Sequence, residues 1–473
     1  MKRILFISLF LGSVVSYSQK TKQEIIKYID GQSELYGGIA HQIWEFAEVG
    51  YQEVKSSALL QKTLKDAGFS VQAGVADMPT AFVASYGQGK PVIAILGEFD
   101  ALPGVSQDAV PEPKQVEGRP AGHACGHHLF GTASSAAAIA VKSWLIANKK
   151  QGTVRFYGTP AEEGGSGKVY MVRAGLFNDV DAVVHWHPSP VNNASPGGSL
   201  ANLTGKFRFS GVAAHAAASP ERGRSALDGV EAMNHMVNMM REHVPSNTRI
   251  HYVITRGGEA PNVVPAFAEV YYYARHPDRA VLKSIWDRIV KASQGAAMGT
   301  ETNVELEVTG GVYNVLPNEA LAKAMDANLR MVGGYTYTSE EKEFALKIQS
   351  TFTGPVPKLE TTNEVGPYQL RDGPASTDVG DVSWVVPTVG LATATWVPGT
   401  AAHSWQAVAA GGTSIGTKGM LVAAKSIALM AVDLFTNPAL IEEGWKELRT
   451  RRGENFKYEA LIGDRKPALD YRN

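Results

Sequence analysis

Cys125 is the only cysteine in 473 residues, and it stands in the run Gly122-His-Ala-Cys-Gly-His-His-Leu-Phe130 with three of the chain's twelve histidines, His123, His127 and His128. A thiolate and an imidazole two residues apart suit a borderline divalent metal such as zinc, and the glycine between them lets both turn toward one point. A buried structural cysteine beside unrelated histidines reads the same over these nine residues. The remaining chemistry decides between them. Glu162 and Glu163 are adjacent carboxylates in Thr159-Pro-Ala-Glu-Glu-Gly-Gly165. Their side chains diverge, so one can bind a metal while the other handles a proton. His187 ends an apolar run after Trp186, with His185 on the same side of an alternating strand and one pair deeper. His403 lies among small residues that permit close approach. His215 and Asn262 fall in a different part of the chain. Asn262, in the turn-rich stretch Arg256 to Pro265, offers a side-chain amide. The competing chemistry makes Cys125 a nucleophile with His127 as its base, but no oxyanion or triad context accompanies that pair.

The elements that must position these groups alternate between helix and strand. Val92 to Leu96 is continuously apolar, as a strand buried on both faces would be, and it runs into Gly97-Glu98-Phe99-Asp100. The cysteine stretch opens onto a small-residue helix over 129–147. The strand 153–157 runs into Glu162 and Glu163, and the strand 182–186 into His187. Three successive strand ends and the cysteine stretch between them thus carry acids, imidazole and thiol, where open α/β sheets place their ligands. The expected fold is α/β, a mostly parallel sheet flanked by helices. From Ala201 the pattern changes to strands exposed on one face (202–210, 249–255, 270–274, 304–308) with helices at 225–243 and 279–297, a β-α-β-β-α-β insert. The expected division is 1–18 as a leader, 19–200 as the first part of the main domain, 201–311 as the smaller inserted α+β domain, and 312–473 as the second part.

Length, 44% hydrophobic and 19% charged content describe an ordinary folded chain of two domains. A net charge of -1 with no long basic run gives nucleic acid no electrostatic footing. Lys2 and Arg3, an apolar Ile4 to Val15, and small residues at Ser16 and Ser18 form a secretory leader cut before Gln19. The expectation is an exported, periplasmic protein without a membrane span, since the apolar run is shorter than the roughly 18 residues of a spanning helix. Cleavage leaves 43 Lys and Arg against 46 Asp and Glu. A lone thiol in an exported protein can form no internal disulfide, and metal ligation would protect it.

Taken together, Glu98-Phe-Asp-Ala-Leu-Pro103, His123-Ala-Cys-Gly-His127, Pro160-Ala-Glu-Glu-Gly-Gly165, Asp181 to Pro188, Gly211 to His215, Asn262-Val-Val-Pro265 and His403-Ser404 resemble, in order, the metal-dependent amidohydrolases and peptidases that include carboxypeptidase G, aminoacylase, hippurate hydrolase and the indoleacetyl-amino-acid hydrolases. Trp186-His-Pro188, Ala213 to Pro220 and Ala402-His-Ser-Trp405 look most like the p-aminobenzoyl-glutamate hydrolase B-subunit group of that family.

The resemblance implies a zinc-peptidase-like main domain, an insert through which two copies pair, and two divalent ions, zinc or manganese. It makes Cys125, His127, Glu163, His187 and His403 the metal ligands and Glu162 the general base. Asp100 is implied as a carboxylate that orients a ligand, His215 as a residue that supports the oxyanion in a neighbouring subunit's site, and Asn262 as a substrate contact. The implied reaction is hydrolysis of the amide of an N-acyl or N-aroyl amino acid, such as p-aminobenzoyl-glutamate. The alternatives are a dipeptidase or carboxypeptidase of the same family, or an exported metal- or ligand-binding protein without activity. A different second subunit is a further partner to consider. Two positions depart from the hippurate branch: His128 and Glu98 both stand where it has aspartate, so its substrate preference does not carry over.

Overall fold

The computed structural model describes residues 20–472, so the leader expected over 1–18 lies outside the described residues. Its main sheet has six strands in the order Ser70–Ala73, Phe82–Gln88, Gly152–Gly158, Val92–Gly97, Ala182–Val184, Thr388–Val389. The last four run parallel. The first two join antiparallel, so the sheet is mixed, with a parallel half that carries the candidate residues at its strand ends. Every residue of Val92–Gly97 is buried. Ile93 and Ile95 face one core with the helices His127–Ala147 and Ser414–Thr436, while Val92, Ala94 and Leu96 face another with Gly167–Arg173 and Val379–Val385. That period-2 division between two covered faces explains the uninterrupted apolar run.

The Gly/Ala/Ser content of His127–Ala147 serves close approach. A Cβ on Gly131 would lie 2.7 Å from the Glu98 carbonyl oxygen, so this helix rests directly on the strand end that bears Glu98 and Asp100. By length and composition His127–Ala147 and Ser414–Thr436 could each cross a membrane, but 78% and 83% of their apolar windows are buried inside the fold. They are inner helices.

Ala201–Val312 forms a second sheet in the order Arg249–Arg256, Phe267–His276, Ala201–Ser210, Asn303–Val312, antiparallel throughout. The helices Ala226–Met240 and Arg279–Gly299 cover one face around Phe207, Phe209, Tyr272 and Trp286. Both helices start on side-chain caps, Ser225 accepting from the Asp228 amide and Asp278 from those of Ala280 and Val281. Arg249–Arg256 is an edge strand and leaves Tyr252, Val253 and Ile254 exposed.

Several elements differ from expectation. The strand expected over 182–186 ends at Val184, and His187–Ser189 instead pairs with Ala392–Ala394 in a separate ribbon. His185 and His187 therefore do not share one strand face. The helices Ser339–Gln349 and Pro438–Arg452 fall in stretches where no element was expected, although Thr338 and Glu341 form a capping box readable in the sequence. Beyond Arg452 the chain straps the two domains together. Leu461 packs against the insert's core, Ile462 against the main domain's, and Arg465 bonds the Thr309 carbonyl and the Glu307 carboxylate.

Candidate metal centre

Tight turns at the ends of the parallel strands aim the candidate side chains at one another. Gly126 has φ 76, and a Cβ there would meet Pro188 at 2.7 Å. This turn places Cys125 just before, and His127 just inside, the first turn of its helix. Ala161 at φ 56 and Ser166 at φ 59 bracket Glu162 and Glu163, and His403 itself is left-handed at φ 61. Non-glycine residues held in that region concentrate where a site over-determines the backbone. The Ala161 turn is pinned by its amide donating to Glu53, itself buried.

The five residues implied as ligands come together. Cys125 Sγ lies 3.4 Å from His187 Nε2, and His403 Nε2 lies 3.3 Å from Glu163 Oε1. The donor atoms of Cys125, His127 and His187 all lie within 4.8 Å of one another, as do those of Cys125, Glu163 and His403. Cys125 is common to both triads. Asp100 fixes the arrangement from behind. Its Oδ1 takes the His127 Nδ1 at 2.9 Å and its Oδ2 accepts from the Glu163 amide at 2.9 Å, so one carboxylate orients residues from two turns.

Whether these residues suit a cation is answered by the atoms left over. Among the described residues, His127 Nε2, Glu98 Oε2 and Glu163 Oε1 are buried with no partner beyond the ionic contacts of His127 with Glu98 at 3.0 Å and of His403 with Glu163 at 3.3 Å. Buried polar atoms are normally satisfied. Three of them, two anionic, facing the same space as a thiol and two further imidazoles form a donor set that fits divalent metal. The charges agree. Burial pushes the Cys125 thiol up. Burial, then the Glu98 and Glu163 charges, push Glu162 well above the usual carboxylate range. Burial also opposes ionisation of Asp100, but the His127 charge and hydrogen bond outweigh it and hold Asp100 low. Burial opposes protonation of His127, but the Cys125, Glu98 and Asp100 charges outweigh it and hold His127 well above the usual imidazole value. A proton there and the Lys168 ammonium are the positive charges set against these carboxylates, in an anion-rich setting that suits a cation.

His215 and Asn262 are not brought into this cluster. They are neighbours on the insert, where the Ala216 amide donates to the Asn262 carbonyl at 3.0 Å and His215 pairs with Val263, and neither lines the cavity. That cavity, about 630 Å³, lies between the domains, with Glu162, Glu163, His187 and His403 on one side and Tyr273 and Arg275 of the insert on the other. His123 and His128 turn away, onto the carbonyls of Ile43 and Gly411.

Sequence reasoning gave no role to four further contributors. Glu98, in sequence an acid at a strand end and a departure from a family pattern, has its Oε2 3.0 Å from His127 Nε2. Lys168 is fully buried and bridges Glu98 to Asp378 at 2.7 Å each. Tyr471 and Arg472 both donate to the Glu163 carbonyl, Tyr471 at 2.9 Å, and Arg472 lines the cavity. Asp378 and the tail are far from their partners in the chain, and only the fold reveals them.

The sequence profile of peptidase family M20/M25/M40 matches residues 94–364. The B-subunit of p-aminobenzoyl-glutamate hydrolase from Escherichia coli (strain K12) is 46% identical over 456 residues, which cover 90% of this chain and 95% of that one. The Xaa-Arg dipeptidase of Homo sapiens is 30% identical over 436 residues, 88% of each chain. The crystal structure of a dinuclear metal-binding peptidase from Bacillus subtilis superimposes with a TM-score of 0.59 at 17% identity, over 86% of this chain and 99% of that one, and so shares its fold.

Proposed function

Because the chain belongs to peptidase family M20/M25/M40, we propose that it is a metal-dependent amidohydrolase of N-acyl and N-aroyl amino acids, with p-aminobenzoyl-glutamate as the leading substrate. The observation that carries this reading is the pair of donor triads sharing Cys125, with Glu162 beside them in one cavity. Two divalent ions, zinc or manganese, suit those triads, one on Cys125, His127 and His187 and one on Cys125, Glu163 and His403. Bound there, they supply Lewis acidity that polarises the scissile carbonyl and makes water acidic enough to attack at neutral pH. Glu162 takes the proton from the attacking water and returns it to the leaving amine nitrogen. Asp100 accepts the His127 Nδ1–H and so turns Nε2 toward the donor cluster. The cavity between the domains encloses the amide and limits water. In an assay of metal-loaded protein against p-aminobenzoyl-glutamate, N-benzoyl amino acids and Xaa-Arg dipeptides, release of p-aminobenzoate with the highest kcat/KM is expected. Turnover of the dipeptides alone would replace this substrate with that of the 30%-identical relative.

His215 and Asn262 stay outside their own cavity, and the insert offers an unpaired strand edge, Arg249–Arg256, with exposed Tyr252, Val253 and Ile254. Such an edge favours pairing with another chain. These features support a homodimer in which His215 of one copy completes the site of the other and assists the oxyanion, Asn262 meeting the substrate beside it. Mixing inactive His215→Ala with inactive Glu162→Gln protein should then restore up to about a quarter of parental activity, because a random half of the dimers hold one intact site in two. No recovery after subunit exchange rejects the shared site. The 46%-identical relative is named as one subunit of a hydrolase, so recovery of activity only with a second, different chain is the outcome that would favour a hetero-oligomer. Export, supported by the Lys2 to Ser18 leader pattern, is tested by N-terminal sequencing, with Gln19 expected first.

A further inference from the structure

Two guanidinium groups, Arg275 of the insert and Arg472 of the strap, line the cavity between the domains, and among the described residues neither forms an ion pair. Both are half-buried, and the Nε of each is buried without a hydrogen-bond partner. Arg472 donates to the Glu163 carbonyl, but the Tyr471 hydroxyl already serves that oxygen at 2.9 Å, so the strap's grip on the turn does not require a guanidinium. Both charges reach Tyr273 on the cavity wall. Burial, then the Tyr271 hydroxyl, push the Tyr273 phenol up, while Arg275 and Arg472 both pull it down, and the Arg275 guanidinium lies 5.7 Å from its ring centre. A partly desolvated cation without a counter-ion is costly, and a ligand anion would answer it. Every N-acyl amino acid carries a carboxylate and an amide N–H on its α-carbon. Arg275 pairs across the sheet with Asn202, whose Oδ1 is buried without a partner and which also lines the cavity. A donor and an acceptor on one face match that carboxylate and that N–H. Arg472, on a different element, is surplus for a substrate with one carboxylate.

We propose that Arg472 is a specificity-determining residue that takes a second carboxylate, on the amino-acid side chain, so that the enzyme selects N-acyl derivatives of acidic amino acids over neutral and basic ones. The inference rests on the N-acyl amino acid reading above and names the residue that reads the glutamate side chain of its leading substrate. A planar guanidinium meets a carboxylate through two parallel hydrogen bonds, which an ammonium cannot reproduce. A cationic side chain at the same point is repelled, so the one group both attracts the acidic substrate and rejects the basic one.

The test is kcat/KM of the metal-loaded full chain on the p-aminobenzoyl derivatives of glutamate, alanine and arginine, which differ only in the side chain. The parent is expected to favour the glutamate derivative over the alanine one by about 10–100-fold, the range for a hydrogen bond to a charged group, with the arginine derivative poorest. Arg472→Gln is expected to erase that preference, the loss on the glutamate derivative falling mainly in KM, and Arg472→Lys to keep only part of it. Arg275→Gln, by contrast, should weaken the glutamate and alanine derivatives alike. A residue that only pins the Glu163 turn would lower all three substrates by one factor, mainly in kcat, and leave their ratio as in the parent. The ratio also carries the test if Arg472→Gln is less stable or holds less metal, because such losses are common to all substrates. A parent that takes the alanine derivative as well as the glutamate one, Arg472→Gln with the parental ratio, or a preference lost in Arg275→Gln instead, overturns the proposal. Failure of the parent to hydrolyse any of the three would overturn the amidohydrolase reading, and this inference with it.

Discussion

Glu162→Gln is expected to bind its metal ions as the parent does, to melt at the same temperature, and to lose about 10²–10⁴ in kcat, the range for removing a general base. The expectation follows from position. Glu162 lines the cavity beside the donor cluster, between turns fixed by Ala161 and Ser166, while its neighbour Glu163 meets His403. Gln keeps shape and polarity but cannot take a proton. The pH profile should show the same thing. Burial, then Glu98 and Glu163, raise Glu162 above the ordinary carboxylate value, and bound cations pull it back toward acid. The base works ionised, so kcat/KM falls as pH drops through its pKa, and that acid limb should disappear from the residual activity of Glu162→Gln. Its carboxylate also lies within 4.8 Å of the Glu98 and His127 donor atoms. Loss of one metal equivalent in this variant would therefore make Glu162 a ligand and leave the base unassigned. A variant within a few-fold of the parent would sink the role altogether.

Cys125→Ala is expected to lose both ions together and to fall at least about 10³-fold in activity, the scale of the catalytic groups it disarms. His403→Ala, by contrast, should lose only one. The difference comes from the Cys125 sulfur belonging to both triads while His403 belongs to one. Elemental analysis of the two purified variants reads it directly. Cutting the cysteine back to alanine removes one sulfur atom's packing, on the order of 1 kcal/mol, so the apoprotein should remain folded. The same experiment bears on a cysteine nucleophile. Burial holds the thiol protonated in the absence of a cation, and a protonated thiol is a poor nucleophile. Activity that survives complete removal of metal by a chelator would revive that chemistry; recovery on adding Zn²⁺ or Mn²⁺ would end it.

The parts legible in the sequence are those whose cause is local. Val92–Gly97 announces a doubly covered strand through its composition, and the insert announces four half-exposed strands and two helices through their periodicity. The proposed ligands are legible because Cys125, His127, Glu163, His187 and His403 are donor types at strand ends or in small-residue loops. The parts that escape depend on distant pairings. Lys168 meets Asp378 across 210 positions, and nothing near a lysine in Gly165-Ser-Gly-Lys168 says it will be buried. Glu98 reads as a substitution in a motif because its significance lies in what Lys168 and His127 do to its two oxygens. Periodicity puts His185 and His187 on one strand because it cannot show where a strand changes partners after Val184. The helix Ser339–Gln349 does leave a local trace, the Thr338 and Glu341 capping box, which marks its start in the sequence.

The strap that ends on the Glu163 carbonyl also sets an order of events during synthesis. Tyr471 follows Glu163 by 308 positions. At roughly 5–20 residues per second, the turn that aims Glu162 and Glu163 leaves the ribosome about 15–60 s before its last two hydrogen-bond donors are made. A nascent chain can fold the parallel sheet in that interval, but the part of the cavity wall supplied by Arg472 is not yet there. Completion of that wall therefore waits on the synthesis of residues 308 and 309 positions downstream of the turn, and a chain lacking Tyr471 and Arg472 would fold with its cavity open on that side.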